Sequence, residues 1–199
     1  MVIEVPKGSS GRTATAGGKN VSAENIQPAG REVMTTFAKS ASNAVKRFPE
    51  LKGNPYVNLH EINQADIKTP GVLAYYGIDS KSIVVGNKTI DYQDQSDFHP
   101  AGTGNLEGVV AHELGHALSY HQLPGFRDVE KTVRIAHAKY NRQTDGKLTR
   151  AEFMREISVN AAESTHETFA EAFADWSVNG IKASKASLAV MSSWRMSKH

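Results

Sequence analysis

The chain has 199 residues, of which 39% are hydrophobic and 22% charged, with a formal net charge of +2 and no cysteine. This length fits one domain that can bury a substantial core, and the lack of cysteine excludes a disulfide framework. The small net charge leads us to expect neither nucleic acid nor an anionic membrane as a partner. No stretch reaches the roughly 18 apolar residues of a membrane-spanning helix.

The first residues show neither the charged nor the apolar region of a signal peptide. Together with the lack of cysteine, this predicts a cytoplasmic protein or one released without a signal peptide, and a piece of a longer polypeptide fits equally well. Residues 1–23 are rich in Gly, Ser, Thr and Lys, which is typical of a flexible arm. We therefore expect an N-terminal arm over 1–23 and a single domain over 24–199.

A helix is predicted from Ala23 to Phe48, because apolar residues recur there every three or four positions and Pro49 ends the pattern. Three short apolar stretches follow and predict strands of a small sheet: residues 56–60, 72–76 and 82–85. A Gly-Ile-Asp-Ser sequence separates the last two and indicates a hairpin.

The sequence His112-Glu113-Leu114-Gly115-His116 matches the H-E-x-x-H pattern, in which two histidines bind zinc and the glutamate acts as a general base. In a helix the two imidazoles stand one above the other and can bind one metal ion from the same side. Apolar residues repeat at helical spacing on the opposite side, and Asn105 is a candidate N-cap. Because the chain has no cysteine, a third protein ligand must be His, Glu or Asp.

Residues 127–140 predict another helix. After it, residues 141–152 place oxygen-bearing side chains at the spacing of an EF-hand calcium loop, although Asn and Gln occupy the first two ligand positions. A turn between helices at Asp145-Gly146 explains the same residues more simply.

A further helix is predicted over residues 166–176, and a last one over 181–199. Glu163, Glu167 and Glu171 share one face of the former, where they repel one another unless a cation or metal-bound histidines relieve the repulsion. Because a metal-bound histidine usually donates its second N–H to a carboxylate, one glutamate can bind the metal while another orients a histidine. The pattern does not decide which does which, and a solvated acidic face would explain it without a metal.

As a pair, H-E-L-G-H-A and E-T-F-A-E-A-F-A-D resemble the catalytic domain of the anthrax lethal factor family of gluzincin metallopeptidases. Similar domains occur in bacterial toxins, secreted proline-directed endopeptidases and some prophage head-morphogenesis proteins. The resemblance implies that Glu167 completes a zinc site with His112 and His116, and that Glu171 supports a ligand histidine.

One position departs from this family. A tyrosine that stabilises the oxyanion usually stands seven residues before the ligand glutamate, but Asn160 occupies that position here. An asparagine amide can also donate to an oxyanion, so Asn160 is a candidate catalytic residue beside Glu113. An enzyme of low activity, or another donor, would explain the departure as well; the other candidates by chemistry are Tyr120, His121, His137 and Tyr140.

The remaining histidines near these segments are expected to be surface or hydrogen-bonded residues, since the zinc site already has its protein ligands: His60, His99 and His121.

These elements predict an α+β fold, with an N-terminal helix and small mixed sheet followed by a mainly helical C-terminal half, as in zincin-like metallopeptidase domains. The resemblance implies a zinc-dependent endopeptidase that hydrolyses protein or peptide with water activated by Glu113, as a toxin, effector or phage-associated processing enzyme. In such domains an edge strand holds the extended substrate, and Leu73–Tyr76 and Ile83–Val85 are candidates. The alternative is a weakly active or inactive structural or binding domain, for example a phage head component.

Overall fold

A computed structural model describes residues 12–16, 19–55, 57, 61–121 and 123–196. The fold is α+β, as the sequence predicts. Within the described residues there are five strands: β1 (Arg12–Ala16), β2 (Lys19–Pro28), β3 (Ile62–Ile67), β4 (Ala74–Gly77) and β5 (Ser82–Gly86). The same residues contain six α-helices: α1 (Arg31–Arg47), α2 (Leu106–Ser119), α3 (Val129–Thr144), α4 (Arg150–Arg155), α5 (Thr165–Asn179) and α6 (Lys185–Trp194).

The strands form one mixed sheet in the order β1-β2-β3-β5-β4. Strands β3 and β5 run parallel, and the other neighbouring pairs are antiparallel. Strand β5 is therefore an interior strand, whereas β4 lies at an edge of the sheet. One face of the sheet contributes to the main core with the helices, and the other carries a smaller apolar cluster around Val21, Tyr75 and Val84.

The predicted helix over 23–48 begins later than expected, at Arg31, and ends at Arg47 before Pro49. Residues 23–28 belong instead to β2, in which buried Val21 and Ala23 alternate with exposed neighbours. This alternation is typical of a strand with one buried face. The sequence did not predict the strand, because the helical spacing of apolar residues after position 30 was extended back to Ala23. Residues 12–16 and 19–23 form paired strands where the composition predicted an arm, and the division at residue 23 stays a prediction.

The predicted hairpin is confirmed, because β4 and β5 pair antiparallel with Tyr76 opposite Ile83. The stretch at 56–60 lies outside the described residues except for Val57, which is in a turn. Strand β3 was not predicted, because its sequence Ile-Asn-Gln-Ala-Asp-Ile lacks a continuous apolar run or a strict alternation.

The predicted helices of the C-terminal half are present, but the last one spans Lys185–Trp194 instead of 181–199, and α4 was not predicted. Asn105 caps α2 by accepting a hydrogen bond from the backbone of Gly108, as predicted. The turn at Asp145 is also confirmed, since this residue has a left-handed backbone with φ of 48°. Helix α6 carries the buried side chain of Trp194 into the core. In the described part of the chain, we find no helix with the length and apolar character that crossing a membrane requires.

Helices α2 and α5 pack against each other at very short range. Gly115 lies at the contact and leaves no room for a side chain. A Cβ added there would lie 2.8 Å from Cα of Ala170 and 3.3 Å from Cβ of Phe173. Only glycine lets the two backbones approach so closely. The same approach brings His112 and His116 of α2 level with the first turn of α5.

Gly115→Ala should therefore weaken the packing of α2 on α5. The added methyl meets backbone rather than a flexible side chain, and we expect a loss of about 1–3 kcal/mol in the free energy of unfolding, the usual range for overpacking. Urea unfolding followed by circular dichroism measures this loss. Lys46→Ala, at an exposed position of α1, is the control. An unchanged unfolding midpoint for Gly115→Ala would contradict the proposed close approach.

Candidate metal centre

Three side chains from α2 and α5 converge at one point. Nε2 of His112 lies 3.2 Å from Oε2 of Glu167, and Nε2 of His116 lies 3.3 Å from Oε1 of the same carboxylate. One ligand atom from each of these residues lies within 4.8 Å of the other two, so the group could hold a metal ion. The structure thus brings together the residues named as zinc ligands from the sequence.

The local structure of each helix explains this convergence. The rings of His112 and His116 lie one helical turn apart, with centroids separated by 4.6 Å. Glu167 is fixed in the first turn of α5, where its backbone N–H donates to the side chain of the N-cap Ser164 at 3.1 Å.

The electrostatics of the site favour an ionised Glu167. Burial by itself would raise the pKa of this carboxyl group, but hydrogen bonds and charges from His112 and His116 outweigh burial and hold the pKa well below its usual value. A carboxylate that stays ionised when largely buried, beside two imidazole nitrogens, is a donor set that suits a divalent cation such as zinc.

Glu171 lies one helical turn after Glu167 on α5 and is completely buried. Its Oε1 lies 3.2 Å from Nδ1 of His112, on the opposite side of that ring from Glu167. Burial opposes ionisation, but His112 and then His99 lower the pKa of Glu171 to about 2. Glu171 therefore occupies the place that the resemblance implies, beside the second nitrogen of a candidate ligand.

Glu113 is buried in the same cleft and points toward the edge strand of the sheet. Its carboxylate accepts a hydrogen bond from the backbone N–H of Tyr76 in β4, and its Oε2 has no partner among the described residues. Burial is the main cause of a pKa raised above the usual value. A raised pKa moves a carboxylate toward the range in which a general base works near neutral pH.

Asn160 has a different setting from the one predicted. Its amide nitrogen donates to Oε1 of Glu171 at 2.7 Å and to Oε2 of Glu167 at 3.2 Å. Both N–H groups are committed to carboxylates, so this geometry favours positioning of the two glutamates over donation to an oxyanion. The catalytic role of Asn160 stays a prediction that the contacts do not favour.

Of the four other candidate donors to an oxyanion, one lines the cleft. Tyr120 lines the cleft and stacks between His116, at 5.8 Å, and His166, at 4.2 Å. The remaining three are not among the described residues that line the cleft: His121 bonds the hydroxyl of Tyr76, which does line it, His137 bonds the carbonyl of Leu148, and Tyr140 bonds Glu156.

The calcium-loop alternative over 141–152 fits the structure poorly. Asn141, its first ligand position, belongs to α3 and donates to the carbonyl of Leu148. Glu152, its last ligand position, instead forms a capping box with Thr149 at the start of α4. These contacts explain the residues as a helix connection.

His99 was expected to be a surface or hydrogen-bonded residue, and the structure confirms the second alternative, with a partner that the sequence did not indicate. Nδ1 of His99 lies 3.1 Å from Oε1 of Glu171, and the ring lines the cleft. No periodicity or motif links these positions, because 72 residues separate them in the chain. The neighbouring Pro100 was the only local signal of a fixed backbone at this point.

The cleft in front of the candidate ligands has a volume of about 360 Å³. Strand β4 forms one wall and α5 another, and aromatic rings contribute much of the lining: Tyr75, Tyr76, Tyr92, Phe98 and Tyr120. The candidate ligands, Glu113 and Asn160 also line this cleft, so an extended ligand along β4 would pass directly in front of them.

Comparisons of the chain with models of protein families, with curated proteins and with solved structures gave no match. The interpretation of the site therefore depends on its residues and their geometry.

Substitution of a candidate ligand should affect zinc binding more severely than substitution of Glu171, which contacts a ligand but does not bind the metal. We expect His112→Ala, His116→Ala and Glu167→Ala to abolish stoichiometric binding, and Glu171→Ala to weaken the affinity by about 10–100-fold. Competition with a chelating dye measures both. Equal affinity in wild type and Glu167→Ala would show that Glu167 is not a ligand.

The zinc-free protein should lose stability in acid. The folded pKa of Glu171, about 2, lies below its unfolded value of 4.5, so its contribution is present above pH 4.5 and disappears as the pH falls toward 2. At about 1.4 kcal/mol per unit, the loss is on the order of 3 kcal/mol. Urea unfolding in EDTA across this range should show a smaller acid loss for Glu171→Gln than for wild type. Parallel curves would contradict the ionised buried carboxylate.

Proposed function

We propose that the protein is a zinc-dependent endopeptidase of the gluzincin type. The observation that carries the proposal is the convergence of His112, His116 and Glu167, with Glu113 in the same cleft. This is the constellation that H-E-x-x-H peptidases use, with three protein ligands and a glutamate that is not a ligand.

His112, His116 and Glu167 would hold the zinc ion, and the chemistry supplied there would be polarisation of the scissile carbonyl and a lower pKa for water. Glu113 would take a proton from the attacking water and pass it to the amine that leaves when the peptide bond breaks. Its Tyr76 hydrogen bond fixes the carboxylate against β4, while Oε2 is left to exchange the proton. Burial raises the pKa of Glu113, and this supports the role because a general base works best when its pKa lies near the working pH.

Strand β4 is the proposed binding site for the peptide backbone. The sequence left Leu73–Tyr76 and Ile83–Val85 as alternatives, but β5 is covered on both sides by β3 and β4. Strand β4 has an edge toward the cleft, and the N–H of Tyr76 points from that edge to Glu113. A peptide that pairs with this edge would lie extended across the candidate zinc site.

The resemblance to the lethal factor family supports the same proposal through two motifs whose side chains meet in space. On this basis the domain acts on protein or peptide as a toxin, effector or phage-associated processing enzyme, in the cytoplasm or after release without a signal peptide. The fold would then be a zincin-like domain.

Asn160 favours a second candidate function. A phenol that could support an oxyanion is missing at this position, and the amide that replaces it is engaged by Glu167 and Glu171. A weakly active or inactive zincin-like domain, serving as a structural or binding component of a phage head, would account for this. Tyr120, one of four tyrosines that line the cleft, stacks on His116 and is a phenol that favours the enzyme instead.

A metal analysis combined with a broad peptide library distinguishes the two functions. An enzyme should hold one zinc ion per chain and cleave members of the library, with cleavage abolished by a chelator and restored by zinc. A protein that holds one zinc ion and cleaves no member would contradict the peptidase proposal and support the structural alternative.

Glu113→Gln is the sharpest single substitution for the mechanism. The amide keeps the shape of the side chain but cannot accept the water's proton, so zinc content should be unchanged while kcat falls by about 100-fold or more, the lower range for general-base loss. The rate of cleavage of the best library peptide gives kcat. The control is Glu107→Gln, in the first turn of α2. Full activity of Glu113→Gln would rule out the base assignment.

A further inference from the structure

We propose that His99 is a positioning residue of the metal centre: it holds Oε1 of Glu171 in place, and Glu171 in turn fixes the ring of His112. The proposal rests on the zinc site proposed above. It does not require that the protein cleave peptides, so its test can fail or succeed independently of the peptidase activity.

Three nitrogen atoms converge on a single buried oxygen. Oε1 of Glu171 lies 3.1 Å from Nδ1 of His99, 2.7 Å from the amide nitrogen of Asn160 and 3.2 Å from Nδ1 of His112. The other oxygen of this carboxylate is buried and has no hydrogen-bond partner among the described residues. Within the described residues, the polar contacts of the Glu171 carboxylate therefore all lie at Oε1.

His99 is suited to this role because its backbone is fixed on both sides. The carbonyl groups of Asp97 and Phe98 accept hydrogen bonds from Val159 and Asn160, at 2.9 and 3.1 Å. On the other side, the carbonyl of Pro100 accepts bonds from the backbone and hydroxyl of Thr103. The loop that carries His99 is therefore joined to the segment that carries Asn160.

The contact gives Glu171 a partner that does not come from the zinc ligands. Nδ1 of His99 and the amide of Asn160 fill the two lone pairs of Oε1, so Nδ1 of His112, 3.2 Å away, makes an electrostatic contact with this oxygen and not a hydrogen bond. The negative charge of Glu171 favours a proton on Nδ1 of His112, which leaves Nε2, the nitrogen that faces Glu167, free to bind a metal. The order of support is therefore His99 to Glu171, Glu171 to His112, and His112 to the metal.

The chain offers a matched set of substitutions. His99→Leu removes the N–H but fills similar space, whereas the amide of His99→Asn can place an N–H near the position of Nδ1. His99→Gln extends the amide beyond that position. His137→Leu removes another partly buried histidine, whose Nε2 bonds the carbonyl of Leu148 away from the cleft, and serves as the control.

The experiment is a competition titration of each purified variant with zinc and a chelating dye, with thermal unfolding of the zinc-free protein measured in parallel. We expect zinc affinity to fall by about 10-fold or more in His99→Leu, to recover to within about 3-fold of wild type in His99→Asn, and to be unchanged in His137→Leu. NMR of the zinc-loaded protein should show the Nδ1 proton of His112 shifted or lost in His99→Leu and restored in His99→Asn.

Wild-type affinity and an unshifted His112 proton in His99→Leu would overturn the proposal. If His99→Leu does not fold, the comparison passes to the two amides: weaker zinc binding by His99→Gln than by His99→Asn supports the proposal, and equal binding overturns it. Stoichiometric zinc without peptide cleavage would contradict the proposed function alone, whereas a wild-type protein that binds no zinc would contradict both.

Discussion

The close approach of α2 and α5 is the constraint on which the rest of the structure depends. Gly115 lies against the backbone of Ala170, and no side chain separates the two helices at this point. Because the histidines stand on either side of Gly115 in the chain, the same contact brings their rings to Glu167 and Glu171. A metal site must hold its ligands within about 0.5 Å of their working positions, so it cannot tolerate a gap between the helices that carry them.

Charge is the second condition for this site. Two carboxylates, Glu167 and Glu171, are largely or fully buried within hydrogen-bond distance of imidazole nitrogens. Such a cluster is costly unless every charge is compensated, and the contacts of Asn160 and His99 reduce that cost. Without a metal, burial opposes protonation of His112, but Glu171 and Glu167 raise its pKa well above the usual value. A divalent cation held by His112, His116 and Glu167 would compensate the charge of Glu167 in place of that proton.

The sequence predicted the parts of the fold and the site that depend on local pattern. The H-E-x-x-H motif indicated a helix with both histidines on one side. The second motif indicated a different helix, with Glu167 and Glu171 one turn apart. Those spacings survive in the structure because helix geometry fixes them. The hairpin of β4 and β5 was predictable for the same reason, since a turn sequence separated two apolar runs.

The features that were missed depend on contacts between distant positions. Strand β3 is partly polar and depends on parallel pairing with β5, which no local pattern encodes. His99 reaches Glu171 from a loop, and the hydrogen bonds of Asn160 to two glutamates could not be inferred from its position in a motif. The expected helix start at Ala23 was wrong because the pairing of β2 with its neighbours prevails over the local spacing.

X-ray absorption spectroscopy of the zinc-loaded protein reports the ligands around the metal and needs no substrate. We expect one zinc ion per chain with two imidazole nitrogens at about 2.0–2.1 Å and a carboxylate oxygen at about 2.0–2.2 Å. A purified protein that retains no zinc, or a zinc ion bound without two imidazole ligands, would contradict the proposed zinc site.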